Sequence, residues 1–254
     1  MSDLALTVRQ LRFENRSFWR NPAAAFFTFV FPLMFLFIFT SAFGNDTIDI
    51  DGRDVKSSTY YVGTIAAFSL ITACYTNIAM GVSFARDQGV LKRVKGSPLP
   101  SGSYLTGRIG HAILIGILLV IIVTIFGAVF YGVEVPTNTL PGLLVTLVVG
   151  SASFAALGLA ITSVVPNAEA APAIVNFSIL PLLFLSGVFF PVKSWMETFS
   201  SFFPVKPLLD LVANAFNPET TGAGFLWGDL GAVALWGVAG LLLAVRYFSW
   251  EPRR

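Results

Sequence analysis

The chain has 254 residues, 55% of them hydrophobic and only 12% charged, with a mean hydropathy of +0.76. Soluble domains carry roughly 25% charged residues, so a soluble globular class is excluded. The net charge of +2, one cysteine (Cys74) and one histidine (His111) also exclude an intrachain disulfide, a cysteine-based metal site and chemistry that needs several histidines.

Residues 1–21 form a basic lead. Leu4, Val8, Leu11, Phe18 and Trp19 cluster on one side of a helical wheel, and Arg9, Arg12, Arg16 and Arg20 on another. This pattern predicts an amphipathic helix in the membrane interface. Asn21-Pro22 then turns the chain inward. Span one covers residues 23–43. Its apolar run is longer than the usual ~7–15 residues of a signal peptide, so it reads as an uncleaved span. Residues 45–58 read as a short acidic loop. Asp46, Asp49, Asp51 and Asp54 surround Gly52 there, without the closing glutamate or helical flanks of a calcium loop.

Span two covers residues 59–84 and carries Thr64, Ser69, Thr72, Thr76 and Asn77. Such groups bond other helices or line a wet path. A polar interruption follows at 85–103. It contains a short helical run (Val90, Leu91, Val94) with Arg86, Lys92, Arg93 and Lys95, stopped by Gly96-Ser97-Pro98-Leu99-Pro100. It reads either as a helix that receives a push from a soluble partner or as a solvated loop that sets orientation. Span three covers 104–131, with Arg108 and His111 near its first end. Residues 132–139 form a short turn. Span four covers 140–165 and is dense in small residues that permit close packing. Residues 166–172 form a tight turn with one charge, Glu169. Span five covers 173–190, with Asn176, Ser178 and Pro181. Residues 192–225 read as outer interfacial or re-entrant helices, the first carrying Trp195, Met196, Phe199, Phe202 and Phe203 and ended by Pro204 and Pro207. The second covers 208–216. Span six covers 226–248.

The expected fold is therefore an all-α membrane protein, one domain of six transmembrane helices. The lead, the 85–103 loop with Arg108, the 166–172 turn and the C-terminal end hold twelve of the sixteen Lys and Arg residues. The opposite side holds nine of the fourteen Asp and Glu residues. The positive-inside rule puts both termini in the cytoplasm. No Gly-rich phosphate loop of the Gly-x-x-x-x-Gly-Lys-Ser/Thr type occurs, and ionisable residues map near span ends. Energy then has to enter from outside the chain, and the central loop is the natural input.

Three segments carry a resemblance. Arg86-Asp87-Gln88-Gly89-Val90-Leu91-Lys92-Arg93-Val94 with Ser97-Pro98-Leu99-Pro100, the Leu185-Ser186-Gly187-Val188-Phe189-Phe190-Pro191 end of span five, and the basic lead are together similar to type-two ABC exporter permeases. That family exports drugs, lipids and polysaccharides, and the chain looks like its daunorubicin-resistance-type members. Val90 stands where a threonine is common, and Leu208-Leu209-Asp210 replaces an aromatic-rich continuation.

The resemblance implies a transport subunit with no catalytic residue or metal of its own in the plasma membrane. It implies separate ATPase subunits that carry ATP and Mg, and a second permease chain, identical or a sister, in the bilayer; no nucleic acid is implied. The coupling residues would be Arg86, Asp87, Gly89, Val90, Leu91, Lys92, Arg93 and Val94. Val90, Leu91 and Val94 would anchor in the ATPase groove, and Arg86, Lys92 and Arg93 would meet its acidic rim. Glu169 would add a smaller contact. Thr72, Thr76, Asn77, Asn176, Phe177, Leu180 and Phe184 would line the path. Phe189, Phe190, Trp195, Phe199 and Phe203 would form an outer gate. A lining without charge favours an amphipathic or apolar cargo. A polysaccharide permease and an ion-driven carrier or channel are the competing readings, and a membrane enzyme or assembly factor is a third class.

Overall fold

A computed structural model describes residues 3–43, 47–50, 53–190 and 194–251. The elements are α1 (Asp3–Trp19), α2 (Pro22–Phe43), β1 (Thr47–Ile50), β2 (Arg53–Lys56), α3 (Ser57–Ile71), a π-helical turn (Thr72–Thr76), α4 (Asn77–Asp87), α5 (Val90–Lys95), α6 (Ser101–Tyr131), α7 (Leu140–Ile161), α8 (Ala171–Leu185), α9 (Ser194–Ser200), α10 (Val205–Phe216) and α11 (Trp227–Tyr247). The protein is an all-α membrane protein with one small β-hairpin.

The central column is the continuous rod α3–π–α4, Ser57–Asp87. From Tyr61 to Ile71 every residue is buried. Its hydroxyls are mostly satisfied within the rod: Ser69 Oγ donates to Ile65 O at 2.6 Å, and Thr72 Oγ1 reaches Phe68 O and Ser69 O at 3.0 Å. One polar contact to another helix is Tyr75 Oη with Ser178 Oγ of α8, 2.6 Å apart. α7 packs against this rod on one side and α11 on the other. Small residues make both contacts possible. A Cβ on Gly158 would meet the Tyr75 carbonyl at 2.7 Å, and one on Gly240 would meet Leu157 N at 2.9 Å. Gly237 lies against Ser153 in the same way, so α7 and α11 run parallel. Close backbone approach is how membrane helices gain packing energy without a hydrophobic driving force.

Several expectations change. Residues 45–58 are not a plain loop: β1 and β2 pair antiparallel, with Thr47 opposite Lys56 and Ile50 opposite Arg53. The connecting Asp51-Gly52, like Asp46, lies outside the described residues, but Asp-Gly between alternating residues is a strong hairpin signal. Span five is shorter than expected. α8 ends at Leu185, and Gly187 takes φ +87°, so the chain leaves the helix before Phe189. Among the described residues, five helices are long and apolar enough to cross a membrane: Pro22–Phe43, Ser57–Asp87, Ser101–Tyr131, Leu140–Ile161 and Trp227–Tyr247. The 15 residues of α8 reach about 22 Å, short of the ~30 Å hydrocarbon core.

Pro207 does not end the first outer helix. It sits in the opening turn of α10, where a missing amide costs no helical bond. α10 buries Val205, Leu208, Leu209, Leu211 and Val212 against the bundle rather than lying free at an interface. Residues 191–193, at the end of the expected span five and the start of the outer segment, and 252–254 in the basic tail lie outside the described residues.

α1 is helical as expected, but only part of its apolar face is exposed. Leu11 and Gln10 lie on Gly107 of α6, where a Cβ would come within 2.7 Å of Gln10, and Phe18 lies 5.5 Å from the His111 ring. Leu4, Val8 and Trp19 remain exposed.

Candidate functional site: the coupling end and the open helix faces

The rod ends at Asp87. Gly89 then takes φ +70°, a left-handed conformation that glycine adopts without a Cβ penalty, and α5 starts at Val90. Six residues later Gly96 closes it. Ser97 Oγ accepts from Leu99 N at 3.2 Å and so braces the Pro98–Pro100 exit.

The structure divides α5 in a way the sequence reading did not. Leu91 is 0% exposed and belongs to this chain's own core, with Val90, Val94 and Leu99 half-buried beside it. The apolar face expected to anchor in a partner groove instead holds α5 to its own bundle. Lys92, Arg93 and Lys95 face outward, with Asp87 and Gln88 exposed at the entry.

Arg86 is a second correction. It is only 1% exposed, so it is not free to meet an acidic rim. Its Nη1 donates to Thr162 O at 2.8 Å and its Nη2 to Val165 O. The cause is that α7 ends at Ile161 rather than at 165, which leaves carbonyls of the unwound Thr162–Val165 turn without helical donors. A guanidinium forks to such carbonyls well and also complements the negative end of the helix. The neighbouring Asp87 Oδ2 accepts from Ala168 N at 3.2 Å. Two adjacent residues of α4 thus clamp the 162–170 turn, and Glu169 is exposed on that turn.

The expected path residues fall into two groups. Thr72 and Asn77 line a crevice with Phe27, Phe31 and Pro32 of α2. Thr76 and Asn176 are half-buried. On α8, Phe177 is 82% exposed, and Leu180 and Phe184 are exposed on the same helix. No α8 residue is among the described residues that line that crevice.

The expected gate residues also separate. Phe189 is buried among Phe35, Phe39, Phe68 and Phe184, with the Phe184 ring 4.9 Å away. It is packed within one chain, because the Gly187 turn folds it back onto α2 and α3. Phe190 stays partly open against Phe39 and Phe184. Phe199 meets Phe203 at 5.4 Å, and Phe203 stacks on Trp236 of α11 at 6.2 Å, while Trp195 is exposed.

Sequence reasoning missed Tyr60, whose Oη donates to Gly187 O and ties the start of α3 to the end of α8. It also missed Lys206, which pairs with Asp210 Oδ1 at 2.6 Å and Glu197 Oε1 at 4.0 Å. Burial pushes the Asp210 carboxyl above its ordinary range, against the pull of Lys206 beside it. The i, i+4 spacing of Lys206 and Asp210 was a usable signal.

Residues 4–217 match the family model described as ABC-2 type transporter. No curated protein matches the chain. The match covers most of the chain, from α1 through the outer helices, and includes the buried rod, its basic terminal helix and the Gly187 turn. This multi-pass membrane protein belongs to the ABC-2 type transporter family and is an ABC permease subunit.

Proposed function

We propose that the chain is the membrane half of an ATP-driven exporter, paired with a second permease chain and driven by separate ATPase subunits that carry the ATP and Mg. The carrying observation is the clamp at the end of the rod. α5 offers Lys92, Arg93 and Lys95 outward while Leu91 is seated in the bundle and Arg86 and Asp87 hold the 162–170 turn. A displacement applied to the basic face then moves α4, α5 and the α7–α8 turn as one body, which rigid-body switching of a permease requires. The basic face selects an acidic docking rim on the ATPase by charge complementarity.

The orientation follows the charge count, with α1, α5 and the basic tail in the cytoplasm. The exposed apolar face of α8 (Phe177, Leu180, Phe184) and the Thr72–Asn77 crevice supply an uncharged path. An amphipathic or hydrophobic cargo such as a drug, antibiotic or lipid fits that lining better than a heavily hydroxylated glycan.

The test is co-purification with the cognate ATPase and measurement of ATP hydrolysis. Lys92→Glu with Arg93→Glu is expected to abolish stoichiometric co-purification while leaving the permease monodisperse. An unchanged complex with unchanged ATP hydrolysis would remove α5 from the coupling role.

A further inference from the structure

At the basic end of the bundle, α1, α2, α4 and α6 line an open-sided cavity of about 540 Å³. Its size lies within the roughly 300–1,000 Å³ of small-molecule sites. Three chemistry-bearing side chains line it that the transport reading does not use: Glu14, Arg108 and His111. Arg108 is positioned from both sides. Its Nη1 donates to Tyr104 Oη at 2.8 Å, and its Nη2 lies where a Cβ on Gly81 would be. The Glu14 carboxylate is steadied by Gln10, whose Nε2 donates to Oε1 at 2.9 Å. His111 Nε2 is buried and has no hydrogen-bond partner among the described residues. Glu14 and Arg108 line one cavity with opposite charge yet form no ion pair within 4.0 Å; the ion pairs seen among the described residues are those of Lys206.

A second crevice of about 260 Å³ continues from the cavity and shares Thr28, Ala73 and Asn77 with it. Its other walls are Phe27, Phe31, Pro32 and Thr72, and the Thr72 hydroxyl is already satisfied within its own helix. Phe31 lies nine residues into α2, which is about 14 Å along the helix. That is about half of the ~30 Å hydrocarbon core. A polar chamber with separated positive and negative groups thus opens into an apolar groove one leaflet deep.

We propose that this composite site binds a zwitterionic phospholipid of the adjoining leaflet. The phosphate meets Arg108 and His111, the ammonium meets Glu14, and one acyl chain runs along Phe27 and Phe31. Unpaired opposite charges held apart in one chamber suit a headgroup that carries both. An anionic headgroup would leave Glu14 facing like charge, and a cationic one would leave Arg108 so. The proposal relies on the exporter reading only for which leaflet is meant. Lipid capture is read on the permease alone, so its failure is separable from failure of ATPase coupling.

The experiment is native mass spectrometry of the purified full chain exchanged into detergent with equimolar phosphatidylethanolamine and phosphatidylglycerol of matched chains. Phosphatidylethanolamine is expected to be retained about tenfold over phosphatidylglycerol, the ratio that ~1.4 kcal/mol of selectivity gives. Glu14→Gln is expected to erase that preference by admitting phosphatidylglycerol. Arg108→Gln is expected to lower retention of both lipids, and Thr28→Trp, which fills the shared neck, to do the same. Tail-free glycerophosphoethanolamine is expected to compete weakly. Where Arg108→Gln is not monodisperse, Arg108→Lys replaces it and is expected to weaken retention less. Absence of preference in the parent chain, an unchanged preference in Glu14→Gln, retention indifferent to Thr28→Trp, or equal competition by the tail-free headgroup would each overturn the site.

Discussion

The two ends of the bundle are built by different means. At the basic end, a few directional bonds join segments distant in sequence: Arg86 to the carbonyls of Thr162 and Val165, and Asp87 to Ala168 N, with Leu91 locking the short α5 into the same body. At the other end, α10 is seated by apolar packing of Val205, Leu208, Leu209, Leu211 and Val212, and the Phe189 turn and α9 are held by ring contacts, the Tyr60–Gly187 bond and the half-buried Lys206 ion pairs. Hydrogen bonds to a buried guanidinium tolerate little displacement, whereas aromatic faces slide over one another at small cost. A transporter driven from one end needs that end to transmit motion without loss and the opposite end to yield. The difference between the ends fits such a division.

The comparison is broken most strongly at Arg86. Arg86→Ala leaves two buried carbonyls without their donor, at roughly 1–3 kcal/mol each. Its expected outcome is ATP hydrolysis that no longer responds to cargo, together with faster amide exchange over residues 162–170. A mutant that keeps both would show that the clamp does not carry the motion. Phe189→Ala probes the other end. In well-packed cores the loss is about 3–5 kcal/mol, but a site bordered by exposed Phe184 and Phe190 can relax, so a fall at the lower limit is expected. Thermal melting in detergent checks it, with coupling to the ATPase retained.

Trp236→Phe sharpens the comparison at smaller scale. It removes the Nε1 bond to Phe202 O, 2.9 Å long, and keeps the stack on Phe203. About 1 kcal/mol of local stability is expected to go. Exchange should rise around residues 200–204 and nowhere at the basic end.

The smallest effect concerns Asp210. Its carboxyl is raised by burial, so the folded state holds the proton more tightly than the unfolded chain. The stability from this group is complete below the ordinary aspartate range and is lost as pH rises through the folded value. Asp210→Asn is expected to flatten that part of the melting-temperature profile on going from acid to neutral pH. An identical slope in parent and mutant would show that the proton is not held there.

Much of this was readable in the chain. The 3.6-residue pattern of Leu11 and Phe18 marked α1. The long apolar runs marked six spans, of which five are membrane-length helices among the described residues and one, α8, is shorter, and Gly89 and Gly96 bracket α5 as its polar run implied. Asp51-Gly52 carries the hairpin signal, while the four aspartates of the segment read as a solvated loop, and the two patterns compete. The roles within the coupling residues were less legible. Arg86, Lys92 and Arg93 are alike in sequence, yet the first is interior and the others are exposed.

The sequence by itself determined the solvent of each segment: which stretches enter hydrocarbon, which end is basic, and where helices must stop. These are properties of consecutive residues, decided by transfer free energy and backbone chemistry. Only the tertiary structure decided which side of α5 is offered outward, that Arg86 serves a turn 76 residues away, and that Phe189 is packed among rings of α2, α3 and α8. It also decided that Glu14, Arg108 and His111 share a chamber. Each of those outcomes depends on where α6, α7 and α8 end and cross relative to the central rod. A partner for a buried charge exists only once those helices are in place.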